Sequence, residues 1–368
     1  MGAYGHNSFA GAAYVYDVSN YSTAPTKLAP SGLGGNDFFG RGIAVSSTHV
    51  VVGAYGDDDQ GTDAGAAYVF DATDLSATPT KLAPSSLDNY DRFGFPLTAT
   101  SNHIIIGSWG DDDQAPDAGA VYVYDATNLS ATPTKLAPSG LGSSDYFGYA
   151  VAASTTHIVV GAYADDDQGS DAGAVYVFDA NNLSATPTKL APSGLDANDK
   201  FGMAVAVSTD YLVVGAFGDD DQGDTAGAAY IYDVTNLSAT PTKLAPSGLE
   251  ANDTFGYSVA VTNNNVVIGA YGDDDEGAGA GAAYVYVANS LSATPTKLAP
   301  SGLSNGDEFG TVVAIASNEI IISAPSDDTN GSNSGAVYVY DASNLSATPT
   351  KIEHLMAEQV IFLVTQYH

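Results

Sequence analysis

The chain has 368 residues, with 43 acidic against 10 basic side chains and a formal net charge of −33. Charge of that sign repels nucleic acid and anionic membrane surfaces, which excludes both as partners. There is no cysteine, hence neither a disulfide nor a thiolate metal site, and no run of about 18 apolar residues that would insert in a membrane.

Met1 is followed at once by "GAYGHNSFAGAAYVYD", the middle of a repeat without the basic-then-apolar pattern of a leader, and residues 2–29 supply only the last two strands of a unit. The unit then recurs: Lys27, Lys81, Lys135, Lys189, Lys243, Lys297 and Lys351 follow one another at a constant period of 54 residues. Such a period marks a repeat architecture. In the first full unit four β-prone segments, "FGRGIAVS", "HVVVGAY", "GAAYVFD" and "TPTKLAP", are bounded by turn-forming residues. No helical period competes with them.

A four-stranded unit repeated about seven times predicts an all-β fold, a seven-bladed β-propeller forming one domain over residues 1–368. Residues 1–29 supply a partial blade, and six full repeats run from about 30 to 352. The apolar "QVIFLVTQYH" within residues 353–368 is read as the strand that closes a seventh blade beside Ala12 to Asp17, or else as a cap.

Phe39-Gly40, Phe93-Gly94, Phe147-Gly148, Phe201-Gly202, Phe255-Gly256 and Phe309-Gly310 each open a unit. Each is followed by Gly-Ala-Tyr or a relative, from Gly53-Ala54-Tyr55 to Ser323-Ala324-Pro325. This pattern resembles the FG-GAP repeat family of seven-bladed propellers, best known from the integrin α-subunit head. In integrin-like members a D-x-D-x-D-G calcium loop joins those two strands, whereas here the connection is only "SSTH", "TSNH" or "STTH". The chain is similar instead to bacterial-type variants whose acidic run follows the Gly-Ala strand, so calcium binding is not simply inherited from the resemblance.

Those acidic runs are the first candidate site: Asp57, Asp59 and Asp63; Asp111, Asp113 and Asp117; Asp165, Asp167 and Asp171; then Asp219 and Asp221, and Asp273 and Asp275. Carboxylates at alternate positions around a glycine suit a hard cation, calcium above all. Asp and Gly also make solvated turns whose charge opposes edge-to-edge association, so both readings stand. A second acid precedes every Phe-Gly by two residues, Asp37, Asp91, Asp145, Asp199, Asp253 and Asp307. It either accepts backbone N–H groups and fixes the turn or shares a cation between blades.

Beside the acidic loops stand Tyr55, Trp109, Tyr163, Phe217 and Tyr271, which are equipment for stacking on a sugar ring or for packing between blades. His49, His103 and His157 read as surface residues, and the "NLS" triplets as turns or glycan acceptors. No P-loop, nucleophile elbow or His-Glu-x-x-His motif is present. The expected function is an extracellular or cell-surface binding or adhesion module without catalysis. Its acidic face, calcium-loaded on the cation reading of the loops, would meet a polymeric or surface-displayed glycan or protein. The alternatives are a self-assembling building block of an array or filament and, at lower rank, a polysaccharide-acting enzyme.

Overall fold

The computed structural model describes residues 1–16, 23–316 and 318–353. Strands β1 (Ala13–Val15) and β2 (Thr26–Leu28) form a two-stranded antiparallel sheet. The next four, β3 (Ile43–Val45), β4 (His49–Ala54), β5 (Ala66–Asp71) and β6 (Thr80–Leu82), form a four-stranded meander in sequence order. Five more such sheets follow, opening at Leu97, Ala150, Ala204, Ser258 and Val313. The four expected segments of each unit are therefore strands.

The β4 run Val50, Val51, Val52 and Ala54 is buried throughout, which explains its unbroken apolar character where a one-sided sheet would alternate. β5 stops at exposed Asp71, whose Oδ1 accepts the Thr73 N–H at 2.8 Å and its hydroxyl at 2.7 Å. A short side chain that captures the backbone two residues on terminates pairing. The "NLS" triplets likewise make turns, Ser130 Oγ donating to Asn128 Oδ1 at 2.7 Å.

The Phe-Gly pairs hold consecutive sheets together. Phe93 is fully buried and forms a parallel bridge with Gly65 of the preceding unit. Gly65 has φ +92°, and a Cβ there would lie 2.0 Å from the Phe93 carbonyl oxygen. At Gly53 a Cβ would meet the Gly94 carbonyl oxygen at 1.7 Å. Both glycines are therefore required by backbone-to-backbone approach.

Two expectations need correction. The described residues hold six four-stranded blades, not seven, because the sheet of β1 and β2 has no full set of strands. The remnant also contains more than its last two strands: Ala3 N donates to Ala12 O at 2.8 Å, and Tyr14 N to Met1 O at 2.6 Å. Residues 1–3 thus hold the edge beside Ala12–Tyr14 that the C-terminal segment was expected to take. That segment, beyond residue 353, lies outside the described residues, as does Asp17.

The chain divides into two compact units, one from Met1 to Val151 and one beginning at Ala152. In the first, Phe93, Ile104, Ile106, Tyr122 and Tyr124 pack with Val51 and Val69. In the second, Phe255, Val266, Ile268 and Tyr284 pack with Val213 and Ile231. Among the described residues no helix is long and apolar enough to cross a membrane.

Candidate functional site

The acidic loop of each full blade meets the lysine that marks its period. Lys81 Nζ lies 2.6 Å from Oδ2 of Asp57 and 2.6 Å from Oδ2 of Asp59. Tyr68 on β5 donates its hydroxyl to Asp57 Oδ2 at 3.1 Å. The loop places these groups because the Asp57 carbonyl accepts the Gly65 N–H and Asp57 Oδ1 accepts the Asp59 N–H. Of the two carboxylates, Asp57 is buried and Asp59 exposed, with side-chain exposures of 4% and 76%.

The arrangement recurs as Lys135 with Asp111 and Asp113, Lys189 with Asp165 and Asp167, Lys243 with Asp219 and Asp221, and Lys297 with Asp273 and Asp275. In the last blade Lys351 pairs with Asp327, and Thr329 Oγ1 takes the second carboxylate's place. Burial pulls the Lys81 pKa down, but the bonds to Asp57 and Asp59 outweigh it and the net shift is upward. Tyr68 is pushed up to about 12 by burial and by the Asp57 charge. An ion pair inside each blade is the outcome: the carboxylates already have a cation, and it is covalently part of the chain.

Asp63 does not join Asp57 and Asp59. Its N–H donates to Asp58 Oδ1 at 2.8 Å, and its carbonyl accepts the Arg92 N–H at 3.0 Å. Asp117 and Asp171 accept from Tyr146 and Lys200 in the same way. Among the described residues no group of three or more His, Asp or Glu side chains is placed to hold a metal ion. As placed, the loop carboxylates bond the blade's own lysine and are not gathered around a common point. A divalent cation would need Lys81 withdrawn and Asp63 turned about.

The acid two residues before each Phe-Gly fixes the turn. Asp91 is buried and its Oδ2 accepts the Asp88 N–H at 2.9 Å, with equivalents at Asp37, Asp145, Asp199, Asp253 and Asp307. Burial pushes Asp91 up to about 7; the Asp88 N–H opposes this and the Asp111 carboxylate adds to it. Asp199 and Asp253 are pushed up to about 6 by the same causes.

The aromatic candidates lie half-buried, and rings and cations surround them. Tyr55 stacks on Phe38 at 4.9 Å with 6° between planes, and the Arg41 guanidinium lies 5.7 Å from its centroid. Arg92 lies over Trp109 at 4.2 Å, and Trp109 meets Tyr146 and Tyr149 edge-on at 5.7 and 5.8 Å. In the second unit Lys200 lies 5.4 Å over Tyr163 while paired with Asp171 at 3.5 Å. Phe217 and Tyr271 both pack on Tyr257. Each aromatic is thus matched with the variable residue just before or just after a Phe-Gly pair, and the loop carboxylates are matched with lysines.

Four sets of residues stand in these clusters without having been candidates from the sequence: the lysines, the third-strand tyrosines, Arg41 and Arg92. The lysines and the third-strand tyrosines share the 54-residue period of the aspartates, and that common period was the available signal for a cluster. Arg41 and Arg92 carry no such signal, because neither recurs at the 54-residue period.

Repeated antiparallel four-stranded sheets, joined at buried Phe-Gly crossings, define the class: an all-β β-propeller with four-stranded blades. Residues 23–70, 78–124, 132–178, 186–232, 240–286 and 294–340 each match the FG-GAP repeat model. These segments make up well over half of the chain, and the protein belongs to the FG-GAP repeat family. Among solved structures it is similar to the Neurospora crassa Pan2 WD40 domain, at 13% identity and a TM-score of 0.48, over 83% of this chain and 76% of that one. No curated protein matches it.

Proposed function

We propose that this protein is a non-catalytic binding module of the extracellular space or cell surface, and that its partner is a polymeric or surface-displayed glycan. The observation that supports this reading is the set of half-buried aromatics, Tyr55, Trp109, Tyr163, Phe217 and Tyr271, three of which carry a cation or a second ring across one face. A ring with one apolar face and polar neighbours suits a sugar, whose C–H face stacks while its hydroxyls find hydrogen bonds. Repetition of weak contacts favours a polymer, because avidity multiplies them. The acidic loops enter as lysine-neutralised turns that hold each blade, not as calcium sites.

A glycan array, run with and without calcium, tests the proposal. Binding that is lost in the triple variant Tyr55→Ala, Tyr163→Ala and Tyr271→Ala, and that is indifferent to calcium, is the expected result. Binding to no glycan, with concentration-dependent self-assembly in its place, would replace it by the building-block reading.

A further inference from the structure

The sequence contains only two arginines, Arg41 and Arg92, and both line one cavity of about 370 Å³ in the first compact unit. Its remaining walls are Phe38, Tyr55, Phe95, Trp109, Tyr149 and Asp63. In a chain with 43 acidic residues a free guanidinium is unexpected. Lys81, Lys135, Lys189, Lys200, Lys243, Lys297 and Lys351 all reach carboxylates. Neither guanidinium has an ion pair or side-chain hydrogen bond with any described residue.

Rings hold them instead. Arg41 lies 5.2 Å from the centroids of both Tyr4 and Phe95, and Arg92 lies 4.2 Å from that of Trp109. Cation–π contact does not itself consume the guanidinium N–H donors, whose fork matches a carboxylate in geometry. The indole N–H of Trp109, enclosed behind the wall, has no hydrogen-bond partner among the described residues. The wall therefore carries the donors of two guanidiniums and one charged acceptor, the carboxylate of Asp63.

We propose that this cavity binds a carboxylate-bearing sugar residue, a uronate, with its carboxylate on Arg41 and Arg92, its hydroxyls on Asp63 and its ring against the aromatic wall. Three features select that chemistry. Two guanidiniums call for an anion. The Asp63 carboxylate disfavours a bare, highly charged one such as sulfate but accepts from hydroxyls. A cavity of this size walled by rings takes a cyclic ligand. The inference rests on the glycan-binding reading above and narrows it to acidic sugars.

Trp109 is the sole tryptophan and reports the cavity directly. Tryptophan emission is titrated at 0.15 M NaCl with trigalacturonate, with neutral galactotriose and with sodium sulfate. A saturable change with trigalacturonate alone is expected, its Kd raised at least tenfold in Arg41→Gln and in Arg92→Gln and less in Arg92→Lys. Thermal melts establish that the variants fold. Should they not fold, the arginine Nε–Hε resonances of the unaltered protein must shift with trigalacturonate and not with galactotriose. Equal responses to the neutral sugar or to sulfate, or arginine variants that bind as tightly as the parent, would overturn the proposal. Array binding to neutral glycans with silent Trp109 would sink this inference and leave the wider reading intact, whereas silence on every glycan would sink both.

Discussion

Lys189 Nζ lies 2.6 Å from Oδ2 of Asp165, a carboxylate whose side chain is only 3% exposed. The lysine reaches it from the fourth strand of its blade, Thr188–Leu190, and the aspartate lies in the loop before the third, so the pair ties the outermost strand to the turn. Tyr176 completes the set by donating to the same Oδ2 at 3.1 Å. A cluster repeated in six blades makes stability depend on internal charge neutralisation.

Substitution Lys189→Met should therefore cost about 3 kcal/mol, because it strands a buried carboxylate. Asp167→Asn, at the exposed partner, should cost under about 1 kcal/mol. The double substitution Asp165→Leu with Lys189→Met should recover most of the loss, since an apolar pair needs no neutralisation. Urea unfolding of the three variants measures this; equal losses from Lys189→Met and Asp167→Asn would refute it.

Calcium should have no specific effect on the melt. Its increment should equal that of sodium chloride at matched ionic strength, both acting by screening a net charge of −33. A site that held calcium at a hundredfold excess over Kd would add about 2.7 kcal/mol, and a calorimetric scan would show it as a separate rise in Tm.

Stability should increase on mild acidification. Asp91 titrates near 7 in the folded chain, and Asp199 and Asp253 near 6, against about 3.9 when unfolded. The folded state thus binds more protons between about pH 4 and 7. Its contribution is full below the unfolded pKa and is lost as pH rises through the folded values. Tm should climb from pH 8 to pH 5.5, and Asp91→Asn, which keeps an acceptor for the Asp88 N–H, should flatten part of that slope. A Tm that falls over the same range would contradict this assignment.

Gly53→Ala should destabilise by about 3 kcal/mol or more, since a Cβ would lie 1.7 Å from the Gly94 carbonyl oxygen. Gly32→Ala offers the comparison: φ +106° there strains any side chain, yet nothing lies within 4 Å. Its cost should be about 1 kcal/mol. Chemical denaturation of the pair separates close approach from backbone strain.

The amino-acid sequence determined the strands, their order within a blade and the family, because unbroken apolar β-prone runs, turn residues and a fixed period can be read along the chain itself. It also placed the turn-fixing role of Asp37 and its equivalents, which act within three residues of themselves. Tertiary structure alone decided the rest. Asp57 and Lys81 stand 24 positions apart, so the spacing of the aspartates read as a cation loop while the cation itself came from another strand. Residues 1–3, not a distant segment, take the edge beside Ala12–Tyr14, a pairing of near neighbours that became visible only once the backbone hydrogen bonds were in place. Arg41 and Arg92 lie in different repeats, and only the packing of one blade on the next brings both into a single cavity. Local geometry follows from local sequence, but a site assembled across blades depends on contacts that no window of the chain contains.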